Sequence, residues 1–184
     1  TGIKWVINPY DEFAVEEAIK FKEANASAQV TVVTVGPKTR VNSALLTAMA
    51  MGADDALVVD TNEALDAFNT AKILAEAIKK EGGQHIIYAG KQAIDDSVSA
   101  VGPMLAEFLS IPHSSVVSKI EYKGDKVVVQ REAEGGSLET YEMPLPALIA
   151  ANKGLNKPRF ASLPGIMKAK KKPIKEYTLA DLGI

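Results

Sequence analysis

"AQVTVVTVGPKTRVNSALLTAMAMGADDALVVD", residues 28–60, decides the fold. Its first nine residues form a β-branched run that stops at Gly36, the pattern of a strand buried on both faces. Residues 39–54 return to helical spacing, and Gly52 suits the C-cap of that helix. "DALVVD", residues 55–60, is a second short apolar strand. Strand, helix and strand in this order predict a parallel pair joined by a right-handed crossover.

The alternation extends in both directions. Upstream, "DEFAVEEAIKFKEAN" sets Phe13, Ala14, Ala18 and Phe21 near helical spacing. Asp11 is the expected N-cap, and an acidic first turn suits the helix dipole. Downstream, "LDAFNTAKILAEAIKKEGG" is an amphipathic helix ending in lysines and then Gly82-Gly83. "QHIIYAGKQAID" is a strand running into a loop, and "SVSAVGPMLAEFLS" is a helix with a kink or late start at Gly102-Pro103. After Ile111 the pattern changes to successive β-segments, with turns at Lys123-Gly124-Asp125 and at residues 134–137. "PALIAA" is apolar again and is expected to rejoin the main sheet, whereas residues 153–184 have no long periodic element and read as an arm. The expectation is an α/β, three-layer, open, mostly parallel sheet with helices on both faces. One domain would span 1–152, with a hairpin excursion at about 116–143, and a loop and arm would occupy 153–184.

Composition narrows the function. With 47% hydrophobic and 24% charged residues, the chain of 184 is an ordinary globular sequence. Lys and Arg number 21 against 23 Asp and Glu, so the net charge lends no support to nucleic-acid binding. The absence of cysteine excludes disulfides, thiol catalysis and thiolate metal sites. No apolar run approaches the ~20 residues of a membrane span, and no signal peptide is expected at the start. The opening residues enter an apolar run without an initiator Met and read as the start of a fragment.

Ligands of open parallel sheets collect at the carboxyl ends of strands. The richest such end is "YAGKQAIDDS", residues 88–97, where Gly90 permits close backbone approach. Asp95-Asp96-Ser97 would lead into a helix start able to hold a phosphate, or else form a plain loop with an N-cap pair. Neither a GxGxxG nor a GxxxxGK[ST] motif is present. His85 and His113 have no acid or nucleophile partner in sequence and read as structural. The adjacent carboxylate pairs Glu16-Glu17, Asp54-Asp55 and Asp95-Asp96 point apart and are poor general acid–base pairs. Trp5 and Tyr10 could stack on a flat ligand.

"RFASLPGIMKAKKKP", residues 159–173, stands out by its chemistry. Leu163, Ile166 and Met167 surround Pro164 and Gly165, two residues expected to keep the stretch out of regular helix. Lys168, Lys170, Lys171 and Lys172 follow. An apolar anchor ringed by cations suits a transient protein interface, and a solvated basic tail is the plainer reading.

Several of these stretches resemble the β subunit of electron transfer flavoproteins. They are "KWVINPYDEFAVEEAI", "ALLTAMAMGADDALVV", "AGKQAIDD", "REAEGGSLETYEMPLPA" and "LNKPRFASLPGIMKAKKKPI", closing with "DLGI". The resemblance implies a nucleotide-binding domain of the adenine-nucleotide α-hydrolase type and an α subunit carrying redox-active FAD. The heterodimer would take electrons from flavin dehydrogenases such as acyl-CoA dehydrogenases and pass them to a quinone oxidoreductase. It would work in the bacterial cytoplasm or the mitochondrial matrix, as a carrier rather than an enzyme.

The resemblance also implies bound AMP, or a second FAD in electron-bifurcating members; the form "GKQAIDD" favours AMP. Tyr10 matches an aromatic touching the flavin. Thr34 and Val35, together with Asp96, Ser99, Ala100 and Val101, match residues around the AMP. Ser99, Ala100 and Val101 stand where Asn, Gln or Thr-type side chains are common, which leaves backbone contacts at the last two. The family pattern places a first strand and a lysine-containing turn before Thr1, and more of its arm after Ile184. Leu163 matches the anchor of the family's recognition loop, with Pro164, Ile166 and Met167 beside it. Lys168 and Lys171 match flanking lysines that are methylated in some members. A nucleotide sensor of the universal stress protein type shares the fold, yet it needs no exposed anchor. A small-molecule hydrolase needs a nucleophile–base pair that the sequence does not offer.

Overall fold

The computed structural model describes residues 2, 5–83 and 86–184; the reading of His85 lies outside them. The unit expected from residues 28–60 is present. Strand β1 (Thr31–Val35), helix α2 (Lys38–Met51) and strand β2 (Asp55–Val59) follow helix α1 (Pro9–Ala24), and β1 pairs parallel with β2 from Thr31↔Asp55 to Val35↔Val59. Alternation of side chains explains why both strands are apolar throughout. Val32, Ala56 and Val58 meet Leu45 and Met49 of α2, while Val33, Leu57 and Val59 meet Ile73 and Ala77 of α3 (Ala67–Glu81). β2 is buried beyond its first residue, but β1 is an edge strand and stays only half-buried, short of the expected full burial.

Strand β3 (Ile86–Gly90) and helix α4 (Val101–Leu109) continue the pattern. Pro103 falls in the first turn of α4, where no intrahelical N–H is required, and this accounts for the late start. Strands β4 (His113–Lys123), β5 (Lys126–Glu132) and β6 (Leu138–Pro144) form the expected antiparallel excursion. Gly124, Gly135 and Gly136 turn it at positive φ. Strand β7 (Ala147–Ala151) returns between β3 and β4, parallel to both, and is buried along its whole length. The strands hydrogen-bond as two groups, β1-β2-β8 and β3-β7-β4-β5-β6. α3 packs on both β1 and α4, and α1 packs on both β3 and α2, so the helices bind the two groups together.

Three local expectations are corrected. Asp11 does not cap α1: Asn8 is the N-cap residue, with Pro9 at the first position, and Asp11 turns instead toward Gly90. Residues 163–169 form a helix, α5 (Leu163–Ala169). Pro164 sits in its first turn, where proline is tolerated, and the Ser162 hydroxyl accepts the Gly165 N–H at 3.1 Å. Residues 175–177 form strand β8 (Lys175–Tyr177), which joins β2 in parallel, so this part of the expected arm extends the sheet. Among the described residues no helix is long and apolar enough to cross a membrane.

Candidate functional site

The carboxyl end of β3 is where α1 meets the sheet. A Cβ on Gly90 would lie 2.7 Å from Asp11 Oδ1 and 2.8 Å from both the Asp11 nitrogen and the Tyr10 carbonyl carbon. Glycine is what lets the first turn of α1 sit directly on the strand. The Gly90 N–H donates to Asp11 Oδ1 at 2.7 Å, and Asn8 Nδ2 donates to Asp11 Oδ2 at 3.1 Å and to the Gln92 carbonyl at 2.9 Å. Burial pushes the Asp11 carboxyl above its ordinary range, although these hydrogen bonds pull it the other way. Tyr10 is thereby fixed at the strand end, half-buried, with Lys91 Nζ 5.0 Å from its ring centre.

The loop from β3 to α4 is organised by Gln92. Its amide donates to Ser97 Oγ at 3.3 Å and accepts from Ser99 Oγ at 3.1 Å, holding both serines in left-handed backbone conformations. The acidic pair does not cap α4. Asp95 Oδ1 accepts the Asp96 N–H and Asp96 Oδ1 accepts the Val98 N–H, each at 3.0 Å, three or more residues before the helix begins. Ala100 is the N-cap of α4 and supplies no side-chain acceptor, so the first amides of α4 have no side-chain cap. Tyr10, Asp96, Ser99, Ala100 and Val101 thus share one region through the Asn8–Gln92 link. Thr34 and Val35 stand on β1, in the other hydrogen-bonded group of strands, with Val35 packed among Leu57, Val59 and Tyr177. Asn8 and Gln92, the hubs of this region, were not singled out from sequence; the signal available was their place within "INPYDE" and "GKQAIDD".

A second site is built around α5. Leu163 is 75% and Met167 61% exposed, and Phe160 just upstream is 94% exposed. Ile166 is less open and borders a groove of about 170 Å³ with Leu46, Ala50 and Ala161. The inner face of α5 is seated firmly. Ala169 is buried, and Gly165 lies so close to the Ala50 carbonyl that any Cβ there would clash. Lys168, Lys170 and Lys171 are exposed, whereas Lys172 donates to the Asp54 carbonyl and is structural. A cleft of about 150 Å³ lies on the other side of α5, lined by Lys22, Asp54, Lys168 and Lys172. Both hollows are smaller than the ~300 Å³ of typical small-molecule sites and are interhelical grooves.

Glu16 and Glu17 point to neighbouring patches, as adjacent helical residues must, yet both are buried. Glu16 meets Arg159 in a two-pronged ion pair, with Nε to Oε2 at 2.9 Å and Nη2 to Oε1 at 3.0 Å. Glu17 accepts from Asn156 Nδ2 at 3.0 Å and Lys20 Nζ at 3.1 Å. Tyr122 and Tyr88 share a hydrogen bond of 2.6 Å nearby, and burial pushes both hydroxyls well above the usual tyrosine range. Sequence spacing gave no sign of this cluster, because Arg159 and Asn156 lie more than 100 residues from the carboxylates they meet.

Comparison with known proteins adds to this geometry. A family model, the electron transfer flavoprotein domain, matches residues 1–182. The electron transfer flavoprotein subunit beta of Dictyostelium discoideum is 44% identical over 183 residues, covering 100% of this chain and 72% of that protein. The same-named subunit of Bradyrhizobium diazoefficiens is 42% identical over 183 residues with the same coverage. That of Sus scrofa is 42% identical over 187 residues, again covering 100% of this chain and 72% of the relative.

Proposed function

The chain belongs to the electron transfer flavoprotein domain family, and from that premise we propose that it serves as the β subunit of a heterodimeric electron carrier. In this reading an α subunit holds FAD, which supplies the redox chemistry when bound. This chain supplies an AMP site, a contact to the flavin and a docking element. The observation that carries the reading is α5: an apolar side chain 75% exposed, on a capped helix seated against α2, beside three exposed lysines. Exposed apolar groups on a rigid base, ringed by one sign of charge, suit brief and repeated association. The partners would be flavin dehydrogenases such as acyl-CoA dehydrogenases on the donor side and a quinone oxidoreductase on the acceptor side.

The AMP assignment rests on the loop between β3 and α4. Asp95 and Asp96 are engaged with their own backbone, which turns their charge toward the turn rather than the helix start. The α4 amides at Val101 and Gly102 are then available to an anionic phosphate. Ser99, exposed and oriented by Gln92, offers a hydroxyl, and Asp96 retains an outward oxygen for a ribose hydroxyl. Thr34 and Val35 would complete the site from β1. Tyr10 presents its ring at the α1–β3 junction, where it would touch the flavin of the α subunit.

The test is Leu163→Ala in the assembled carrier. Electron transfer from an acyl-CoA dehydrogenase, followed by flavin absorbance, is expected to lose about tenfold or more in apparent affinity, since truncating a buried hot spot typically costs ~2 kcal/mol. Flavin and AMP content should not change. Unchanged affinity would remove the docking role of α5.

A further inference from the structure

We infer that Arg159 is a positioning residue, clamped by Glu16 and Glu23 of α1 so that Phe160 and Leu163 are aimed outward before any partner arrives. The inference rests on the docking role of α5 proposed above. Arg159 uses its whole guanidinium. Nε and Nη2 grip Glu16, while Nη1 and Nη2 reach Glu23 at 2.6 and 3.1 Å. Its backbone N–H adds a further bond to Glu16 Oε2 at 3.0 Å, so the main chain as well as the side chain is fixed. The Glu16 side chain is only 7% exposed, and a buried carboxylate without a partner would be costly. That cost makes the clamp obligatory rather than one of many loose surface pairs.

The segment is held on both sides of the exposed residues. Three residues upstream, Asn156 Nδ2 donates to the Phe13 carbonyl at 2.9 Å and to Glu17. Three residues downstream, Ser162 caps α5, and α5 is fixed through Ala169 and Lys172. Between clamp and cap lie only Phe160 and Ala161. Phe160, the most exposed large apolar side chain among the described residues, therefore leaves the body from a two-residue span with both ends anchored. Such an arrangement pre-orders the side chains that binding would otherwise have to order, and preorganisation of that kind raises affinity without new contacts. The partner surface it fits is apolar, wide enough for both Phe160 and Leu163, and bordered by carboxylates facing Lys168, Lys170 and Lys171.

The experiment compares Arg159→Lys, Leu163→Ala, Phe160→Ala/Leu163→Ala and the triple variant in the assembled carrier, using an acyl-CoA dehydrogenase as the probe. Lysine keeps the charge but cannot make the forked contacts. Arg159→Lys is expected to weaken binding about tenfold and to speed amide hydrogen exchange in residues 160–167, with flavin content unchanged. In the Phe160→Ala/Leu163→Ala background the same change should weaken binding less than about twofold, because a positioning residue acts through the groups it positions. A full tenfold loss in both backgrounds, or no loss in either, overturns the inference. If Leu163→Ala alone has no effect, the docking reading itself fails; if only Arg159→Lys has none, the clamp fails and docking stands. Should Arg159→Lys not fold, Glu23→Gln opens the solvent-side arm alone. It is expected to weaken binding about threefold, and an unchanged affinity would count against the clamp.

Discussion

Replacing Gly90 with alanine tests the junction on which the strand-end site is built. Two effects compete. Alanine in a strand gains roughly 0.5–1 kcal/mol over glycine where there is room. Here there is none: the added Cβ would fall about 0.6–0.7 Å inside ordinary contact with Asp11 Oδ1, the Asp11 nitrogen and the Tyr10 carbonyl carbon. Two of these three atoms are backbone of a helix turn and cannot rotate away. The first turn of α1 has to retreat, stretching the 2.7 Å hydrogen bond from Gly90 to the Asp11 carboxylate. Overpacking of this kind costs about 1–3 kcal/mol. Weakening a hydrogen bond to a charged group adds roughly 1.5–3 kcal/mol at full loss. The net expectation is about 3 kcal/mol of destabilisation, which for a chain of this length lowers the melting temperature by about 6–12 °C. Calorimetry of wild type and Gly90→Ala measures it directly. A melting temperature equal to or above wild type would show that the propensity gain wins and would refute the close approach of α1 to β3.

Two further outcomes follow from the charges. Burial would raise the Asp54 carboxyl, but the Val30 N–H, Lys22 and Lys172 together hold it below its ordinary value. A depressed acid contributes stability above its unfolded value and loses it as pH falls through the folded one. Asp54→Asn should therefore cost about 1 kcal/mol at pH 7, discounted for its partial exposure, and should flatten the acid-side decline in urea stability below about pH 4; an unchanged slope would contradict this. Separately, if Lys168, Lys170 and Lys171 steer docking, the association rate with a dehydrogenase should fall several-fold between about 0.05 and 0.3 M salt, with the dissociation rate little changed. A salt-independent association rate would remove the steering role.

The layered architecture was legible because periodicity and glycine placement are local signals. The run at 28–36, the helix closed by Gly52 and the glycine-marked hairpin turns all stand where the residues put them. "PALIAA" was readable as a sheet strand because a strand covered on both faces must be apolar throughout. Errors arose where a local rule met a tertiary partner. Pro164 and Gly165 read as helix breakers, but proline is harmless in a first turn, and Gly165 is set by the nearness of the Ala50 carbonyl. Asp11 read as a cap, but its carboxylate is taken by Gly90, 79 residues away. "KEY", residues 175–177, carries two charges in three residues and gave no strand signal until β2 supplied an edge. Glu16 and Glu17 read only as adjacent carboxylates pointing apart, a poor acid–base pair, and only folding brings Arg159 and Asn156 against them. At the strand-end site the residue types were visible, while the ordering role of Gln92 depends on a loop geometry that no spacing encodes.

What accompanies this chain in its source decides whether it works as a carrier subunit. Native purification through a tag on the chain, followed by mass spectrometry of the bound protein and chromatography of the released nucleotides, measures that in one step. The prediction is a single partner subunit in one-to-one ratio, with one FAD and one AMP per pair. Recovery of the chain alone, or of a pair lacking flavin, would contradict the electron-carrier assignment.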